Sequence, residues 1–408
     1  MERFTGLLGI ALILGIAFLF SNNRKAINYR LVLSGLGLQL VLAIVILKVP
    51  IVTKFFQAIG HGMEKIEQFA REGAKFVFGN VLPNPAEASK VFGGSNAFIF
   101  AFNIPATIIL VCVLVAIFYH IGVMQRIVAL VARGVHFIMQ ASGAEALSNV
   151  ASAFVGQVEA QVMIRPYLDG MTKSELLASM AGSMACIAGG ILIVYVNMGV
   201  PAEYLIAASL MAAPGALVIS KIVYPETEES QTKGKVSIDV KSNYGSLIDA
   251  ISHGASDGMK ISINVIAMLI GFIGLIALIN FMLGMINPAL SLNQIFGWIF
   301  WPLAFAMGVP QVDVTSVATM MGQKLTINEF VAYLNLTSMK DTLTPKGLAI
   351  ASFALCGFAN FSSVGIQIGG IGELAPGRRA DLAKLGLKAL LCGTLASYMS
   401  ASLAGILM

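Results

Sequence analysis

Glu159 and Glu329 are the residues with the most to account for. Each carboxylate stands in an apolar neighbourhood, within Gly156-Gln157-Val158-Glu159 and Asn328-Glu329-Phe330. An ionisable group at membrane depth costs about 2.5–3.5 kcal/mol on insertion scales, so it persists there only beside a polar partner or a wet site. Two such acceptors could bind the hydroxyl or amide groups of a polar solute, or carry a proton. The plainer reading places both in exposed loops. Asn360, Ser362 and Ser363 interrupt the apolar run 347–372. Their spacing suits ligand binding and interhelical hydrogen bonding equally. His120 is read as lying near a helix end, His61, His136 and His253 as interfacial, and none as catalytic.

The elements that position these groups follow from composition. The chain has 408 residues, 57% hydrophobic and only 12% charged. Soluble domains are about 25% charged, and single soluble cores stop growing at about 250–300 residues. This excludes a soluble enzyme, a disordered chain and a coiled coil, and leaves an all-α polytopic membrane protein. The net charge of +5 is spread over loops, which fits anionic lipid head groups and not nucleic acid. Cys112, Cys186, Cys356 and Cys392 lie in apolar runs without metal-site spacing. No organic cofactor motif appears. With no His beside Cys186 or Cys356, an intramembrane enzyme lacks a nucleophile–base pair.

Apolar runs at 6–20, 31–47, 97–118, 176–202, 204–220, 347–372 and 389–408 read as spans, and the uncharged run 261–312 holds more than one helix. No small-residue cleavage site follows 6–20, so the reading is a retained helix. Residues 54–75 place Phe55, Phe56, Ile59, Met63, Ile66 and Phe69 at helical spacing among charges, which predicts an interfacial amphipathic helix. Residues 225–241 read as a long polar loop. The basic groups Arg24, Lys25, Arg30, Arg126, Arg133, Arg378, Arg379, Lys384 and Lys388 are read as cytoplasmic, which puts both termini outside.

Two segments, 145–168 and 294–333, are long enough to enter a membrane and return but not to cross twice. Each precedes a pair of spans whose first member is broken, at 186–190 and at 357–363. Hairpin, broken helix, helix therefore occurs twice, as in secondary transporters built on inverted repeats. Re-entrant tips are tolerated where they are buried in protein or line a wet cavity. A channel would want rings of pore-lining groups instead. A transporter of some other polar metabolite shares the architecture and is the alternative.

The stretches SNNRKAIN (21–28), FVGQVEA (154–160), AASLMAAPGAL (207–217), NEFVAY (328–333) and FALCGFANFSS (353–363) resemble the concentrative nucleoside transporter family in its short bacterial form. The likeness runs from the first helix to the last. It implies eight transmembrane helices, two re-entrant hairpins and an interfacial helix, assembled as a homotrimer in a bacterial inner membrane. It also implies import of nucleosides such as uridine by an elevator movement driven by a sodium or proton gradient. By this resemblance residues 1–53 are scaffold helices, 54–75 the interfacial helix, and 91–140 a scaffold helix with its connector. Residues 141–222 form the first transport repeat, 223–246 a cytoplasmic loop, 247–290 another scaffold helix, and 291–408 the second transport repeat.

The same resemblance assigns roles residue by residue. Gln157 and Glu159 would hydrogen-bond the nucleobase, Glu159 through water, beside Val158. Glu329, Asn360 and Ser363 would bind the ribose hydroxyls, and Ile191 and Phe358 would pack on the base and sugar. Val158 replaces the usual hydroxyl residue of the family's base-reading stretch, and Gln161 stands where many sodium-coupled members have Pro. The sodium site maps onto Ser152, Val155, Cys186 and Ile187. A cysteine sulfur is a poor ligand for a hard cation. That favours proton coupling, with one of the two glutamates as carrier. A sodium site completed by backbone carbonyls stays open.

Overall fold

The computed structural model describes residues 2–92, 99–232, 244–288 and 290–408. All regular structure among them is helical. The chain opens with α1 (Glu2–Leu19), α2 (Tyr29–Lys48), α3 (Pro50–Phe78) and α4 (Pro85–Phe92). Next come α5 (Phe100–His120), α6 (Val123–Met139), α7 (Gly143–Ser152), α8 (Glu159–Val162), α9 (Lys173–Ala185), α10 (Gly189–Asn197) and α11 (Ala202–Val223). The same order then recurs. A long helix α12 (Leu247–Ile286) is followed by α13 (Leu292–Ala306), α14 (Val314–Thr326), α15 (Glu329–Ser338), α16 (Pro345–Leu355), α17 (Phe361–Leu374) and α18 (Arg379–Leu407).

Local chemistry sets the boundaries. Ser142 with Glu145 and Thr172 with Glu175 form reciprocal capping boxes at the starts of α7 and α9. Asn328 caps α15 through Val331 N–H, Thr344 caps α16 through Gly347 N–H, and Asn360 caps α17 through Ser363 N–H. The second hairpin is tighter than the sequence reading of 294–333. Residues 292–306 form the separate helix α13, which ends at Gly308 with φ +91°, and the hairpin itself is α14 and α15. The apolar run 176–202 divides at Cys186 into α9 and α10, and 347–372 divides at Cys356 into α16 and α17.

Five helices among the described residues are long and apolar enough to span a bilayer. α11 and α18 are 89% and 83% buried over their most apolar windows, whereas α12 is 6% buried, which places the first two at the centre and α12 at the periphery. α18 packs on α1, α9, α11, α16 and α17, and α5 packs chiefly along α12. α1 and α2, expected as scaffold, lie against α18 and α11. α3 leaves Phe55, Phe69 and Phe76 exposed, as an interfacial helix requires. Of the polar loop 225–241, residues 225–232 are described and the remainder lies outside the described residues.

Hydrogen bonds gather several basic segments at one end of the molecule. Arg378 donates to the carbonyls of Leu168, Asp169 and Met171, Lys388 donates to Asn22, and Asn22 N–H donates to Val223 O. At the opposite end Gly9 lies against Ala306, Met307 and Ser402, and Gly405 against Met307.

Candidate functional site: two hairpins and two broken helices

The two helix breaks face each other. Gly357 adopts φ +100°, and a Cβ there would collide with the carbonyl of Ala185, the last residue of α9. Only glycine meets both demands. The equivalent residue in each break is a cysteine: Cys186 caps α9 and Cys356 caps α16. Both are fully or nearly fully buried.

Glu329 is the first residue of α15 and is 6% exposed. Its Oε1 accepts from the Tyr195 hydroxyl at 3.1 Å, and its Oε2 accepts from the Asn360 amide at 2.9 Å. Asn360 Oδ1 in turn accepts from Ser363 N–H at 2.9 Å and from the Ser362 hydroxyl at 2.7 Å. Helices α10, α15 and α17 therefore converge on one carboxylate. Tyr195 was absent from the sequence reading. It sits inside the apolar stretch 191–196, where nothing local marks it. Its ring lies 4.4 Å from that of Tyr333, whose hydroxyl donates to Ser352 O.

Glu159 is the first residue of α8, matching Glu329 in α15. Gly156 makes room for it, because a Cβ there would collide with the Glu159 carboxylate. Glu159 lines a cavity of about 310 Å³ between the first hairpin and the α5–α12 pair, together with Val155, Ile191, Cys112, Tyr119 and Asp257. Gln157 and Val158 turn to α17. The Gln367 amide donates to Gln157 Oε1 at 3.3 Å, and Val158 packs where Gly370 has no side chain. Phe358 is half-buried against the core. The structure thus joins Glu329, Asn360 and Ser363 in one network, and sets Glu159 and Ile191 on one cavity. Glu329 does not line that cavity.

The candidate cation positions lie where the first hairpin meets the α9–α10 break. Ser152 Oγ is 2.7 Å from Ser148 O and 2.8 Å from Ser183 Oγ. Gln161 donates to Ser183 Oγ at 2.8 Å and accepts from the Ser179 hydroxyl at 2.6 Å. Ile187 O accepts from the Ser209 hydroxyl, and the Cys186 thiol points at Ser209 O at 3.6 Å. Val155 is buried beside them. Of the four candidate side chains, Ser152, Val155, Cys186 and Ile187, Ser152 alone offers an oxygen to a hard cation, and it is already bonded on both sides. Gln161 stands out in the sequence only as a departure from the family pattern, and Ser179, Ser183 and Ser209 carry no local sign, because polar residues in small-residue helices look like ordinary interhelical glue.

Sequence comparison gives these groups a context. Residues 8–81 match the N-terminal part, and residues 204–405 the C-terminal part, of the family described as Na+ dependent nucleoside transporter. Residues 101–202 match a family described as Gate, nucleoside recognition. A nucleoside permease of Helicobacter pylori, NupC, is 39% identical, with 98% of this chain and 96% of the permease aligned.

The chain belongs to the concentrative nucleoside transporter family.

An uncharacterized transporter of Haemophilus influenzae is 42% identical over 100% of this chain and 98% of its own. The rat sodium/nucleoside cotransporter 2 is 36% identical over the whole chain and 63% of its own length. A solved concentrative nucleoside transporter, CNTnw in an inward-facing substrate-bound state, superposes with a TM-score of 0.93 at 39% identity, covering 100% of this chain and 98% of that one. This family consists of multi-pass helical membrane transporters, so the chain is a transporter and not an enzyme.

Proposed function

We propose that the chain imports nucleosides such as uridine across a bacterial inner membrane, as a proton-coupled symporter moving by an elevator mechanism. The observation that carries the substrate is Glu329. Its two oxygens each hold one neutral donor, Tyr195 and Asn360. A carboxylate has about four acceptor positions, so a ribose diol can add two more O–H donors at the same group. Ser363 closes that side. Gln157, Glu159, Val158, Ile191 and Phe358 form the base side, with Gln367 orienting the Gln157 amide.

Proton coupling rests on the first hairpin. The Ser152–Ser183–Gln161–Ser179 chain satisfies itself without an ion, and Cys186 presents sulfur where sodium prefers oxygen. Glu159, on the cavity, is the better-placed proton carrier of the two glutamates.

The division of labour follows the packing. α3, α5 and α12 form the frame, and the cavity marks its border with the moving body. That body holds residues 141–222 and 291–408. We group residues 1–53 with it as well, where the sequence reading places them in the scaffold; the packing of α1 and α2 on α18 and α11 supports that grouping. The exposed apolar face of α12, including Ile270, Phe281 and Met285, supplies a surface for trimer assembly or lipid. The end that gathers Arg24, Arg378 and Lys388 is cytoplasmic by the positive-inside rule, which leaves both termini periplasmic.

The deciding experiment is uptake of labelled uridine into proteoliposomes under an imposed pH or sodium gradient. Uptake should follow the pH gradient, and 2′- or 3′-deoxyuridine should compete about 10-fold less well than uridine, the worth of one hydrogen bond to a charged group. Equal competition would remove the ribose assignment, and strict sodium dependence would remove the proton.

A further inference from the structure

The second repeat contains a cation of its own. Lys324, in α14, is 0% exposed. Its ammonium donates to Ala354 O at 3.0 Å and to Cys356 O at 2.7 Å, the carbonyls that close α16. The Tyr398 ring centroid lies 5.8 Å away, and the Ser397 hydroxyl shares Cys356 O at 2.7 Å. No carboxylate among the described residues lies within 4 Å of the ammonium. Lys221, the other buried lysine among the described residues, is unlike it, held by Glu145 at 2.7 Å and Glu226 at 3.2 Å.

The surroundings of Lys324 repeat those of the candidate cation positions in the first half. There the outbound hairpin arm, the C-terminal end of a broken helix capped by Cys186, and a serine of the following helix, Ser209, converge. Here the outbound arm α14, the end of α16 capped by Cys356, and Ser397 of α18 converge. The last carbonyls of a helix carry partial negative charge and lack intrahelical donors. At membrane depth, with no water to satisfy them, they call for a cation or a strong donor.

We propose that Lys324 is a tethered cation that permanently fills the second repeat's counterpart of the first repeat's candidate cation positions. It locks the hairpin arm to the α16 break and so fixes Glu329, five residues on, beside Asn360. Lys324 is thus a positioning residue, and it leaves the protein one exchangeable cation per cycle rather than two. The flux arm of the test rests on the nucleoside reading above; the unfolding arm does not.

The test is thermal unfolding of the purified, assembled protein in N-methylglucamine buffer, with and without methylammonium. Lys324→Ala should unfold at a lower temperature than the parent, and methylammonium should restore it by entering the vacated place. The parent should not respond. Lys324→Met, which fills the space without charge, should stay low in both buffers. A Lys324→Ala protein as stable as the parent, or one blind to methylammonium, overturns the proposal. Independently of the variants, the reversal potential of nucleoside flux through the unmutated protein should give one charge per nucleoside, and two charges would overturn the proposal. Absence of any nucleoside flux would refute the function proposed above and leave the unfolding result standing.

Discussion

The two hairpins are built alike and provisioned differently. In the first, the tip between α7 and α8 runs six residues, 153–158, and Glu159 looks into a cavity. In the second, residues 327–328 alone separate α14 from α15, and Glu329 is enclosed by Tyr195 and Asn360. The first meets its broken helix through neutral hydroxyls and an amide. The second meets it through an ammonium. On the readings proposed above, the first half exchanges a proton with the cavity through Glu159, while the second holds its cation in place on Lys324.

This comparison can be broken most severely at Glu329. Glu329→Ala should lower uridine uptake by about 100-fold or more in an assembled protein, because a site built to bond hydroxyls loses its main acceptor. Normal uptake would reduce Glu329 to a structural carboxylate and erase the contrast. Glu159→Gln keeps a hydrogen-bonding group for the base, so uptake under an imposed pH gradient should lose its response to the gradient while apparent affinity falls only a few-fold; an unchanged response would remove Glu159 as the proton carrier.

Gly357→Ala tests the contact between the two breaks. Strain at φ +100° and the collision with Ala185 O should cost about 1–3 kcal/mol, read as a lowered unfolding temperature in detergent. An unchanged temperature would mean that the breaks are not rigidly apposed. Tyr195→Phe removes one donor to Glu329 and should weaken apparent affinity about 10-fold while leaving assembly intact. The concentration dependence of uptake measures it, and no change would show that Tyr195 only packs against Tyr333. The smallest effect is expected from Ser152→Asn with Cys186→Ser, which restores oxygen ligands to the first hairpin. Uptake should gain a few-fold stimulation by sodium. A double variant still indifferent to sodium would place the origin of proton coupling elsewhere, with Gln161 the next residue to examine.

Much of this was legible from residue order. The spans, the amphipathic α3, the doubled pattern of hairpin and broken helix, and the exceptional status of Glu329 follow from hydropathy and from the cost of burying charge, whereas Glu159 is exposed where it meets the cavity. The edges of the second hairpin were not legible, since α13 is apolar enough to pass for a hairpin arm. Tyr195 was hidden because an aromatic residue in an apolar helix carries no local sign of its partner. Lys324 went unremarked for a related reason. It stands in a polar segment, Gly322-Gln323-Lys324, that reads as solvated until the arm is seen to be buried.

By itself, then, the sequence determined what must be in the membrane and which charges are anomalous there, because transfer free energy is a property of each residue and its neighbours in the chain. Only the tertiary structure decided which groups share a carboxylate, which hairpin faces a cavity, and that α1 and α2 pack on α11 and α18. Those are contacts between segments far apart in the chain, set by close packing of helices around breaks whose carbonyls need partners. Local pattern contains no record of which partner arrives.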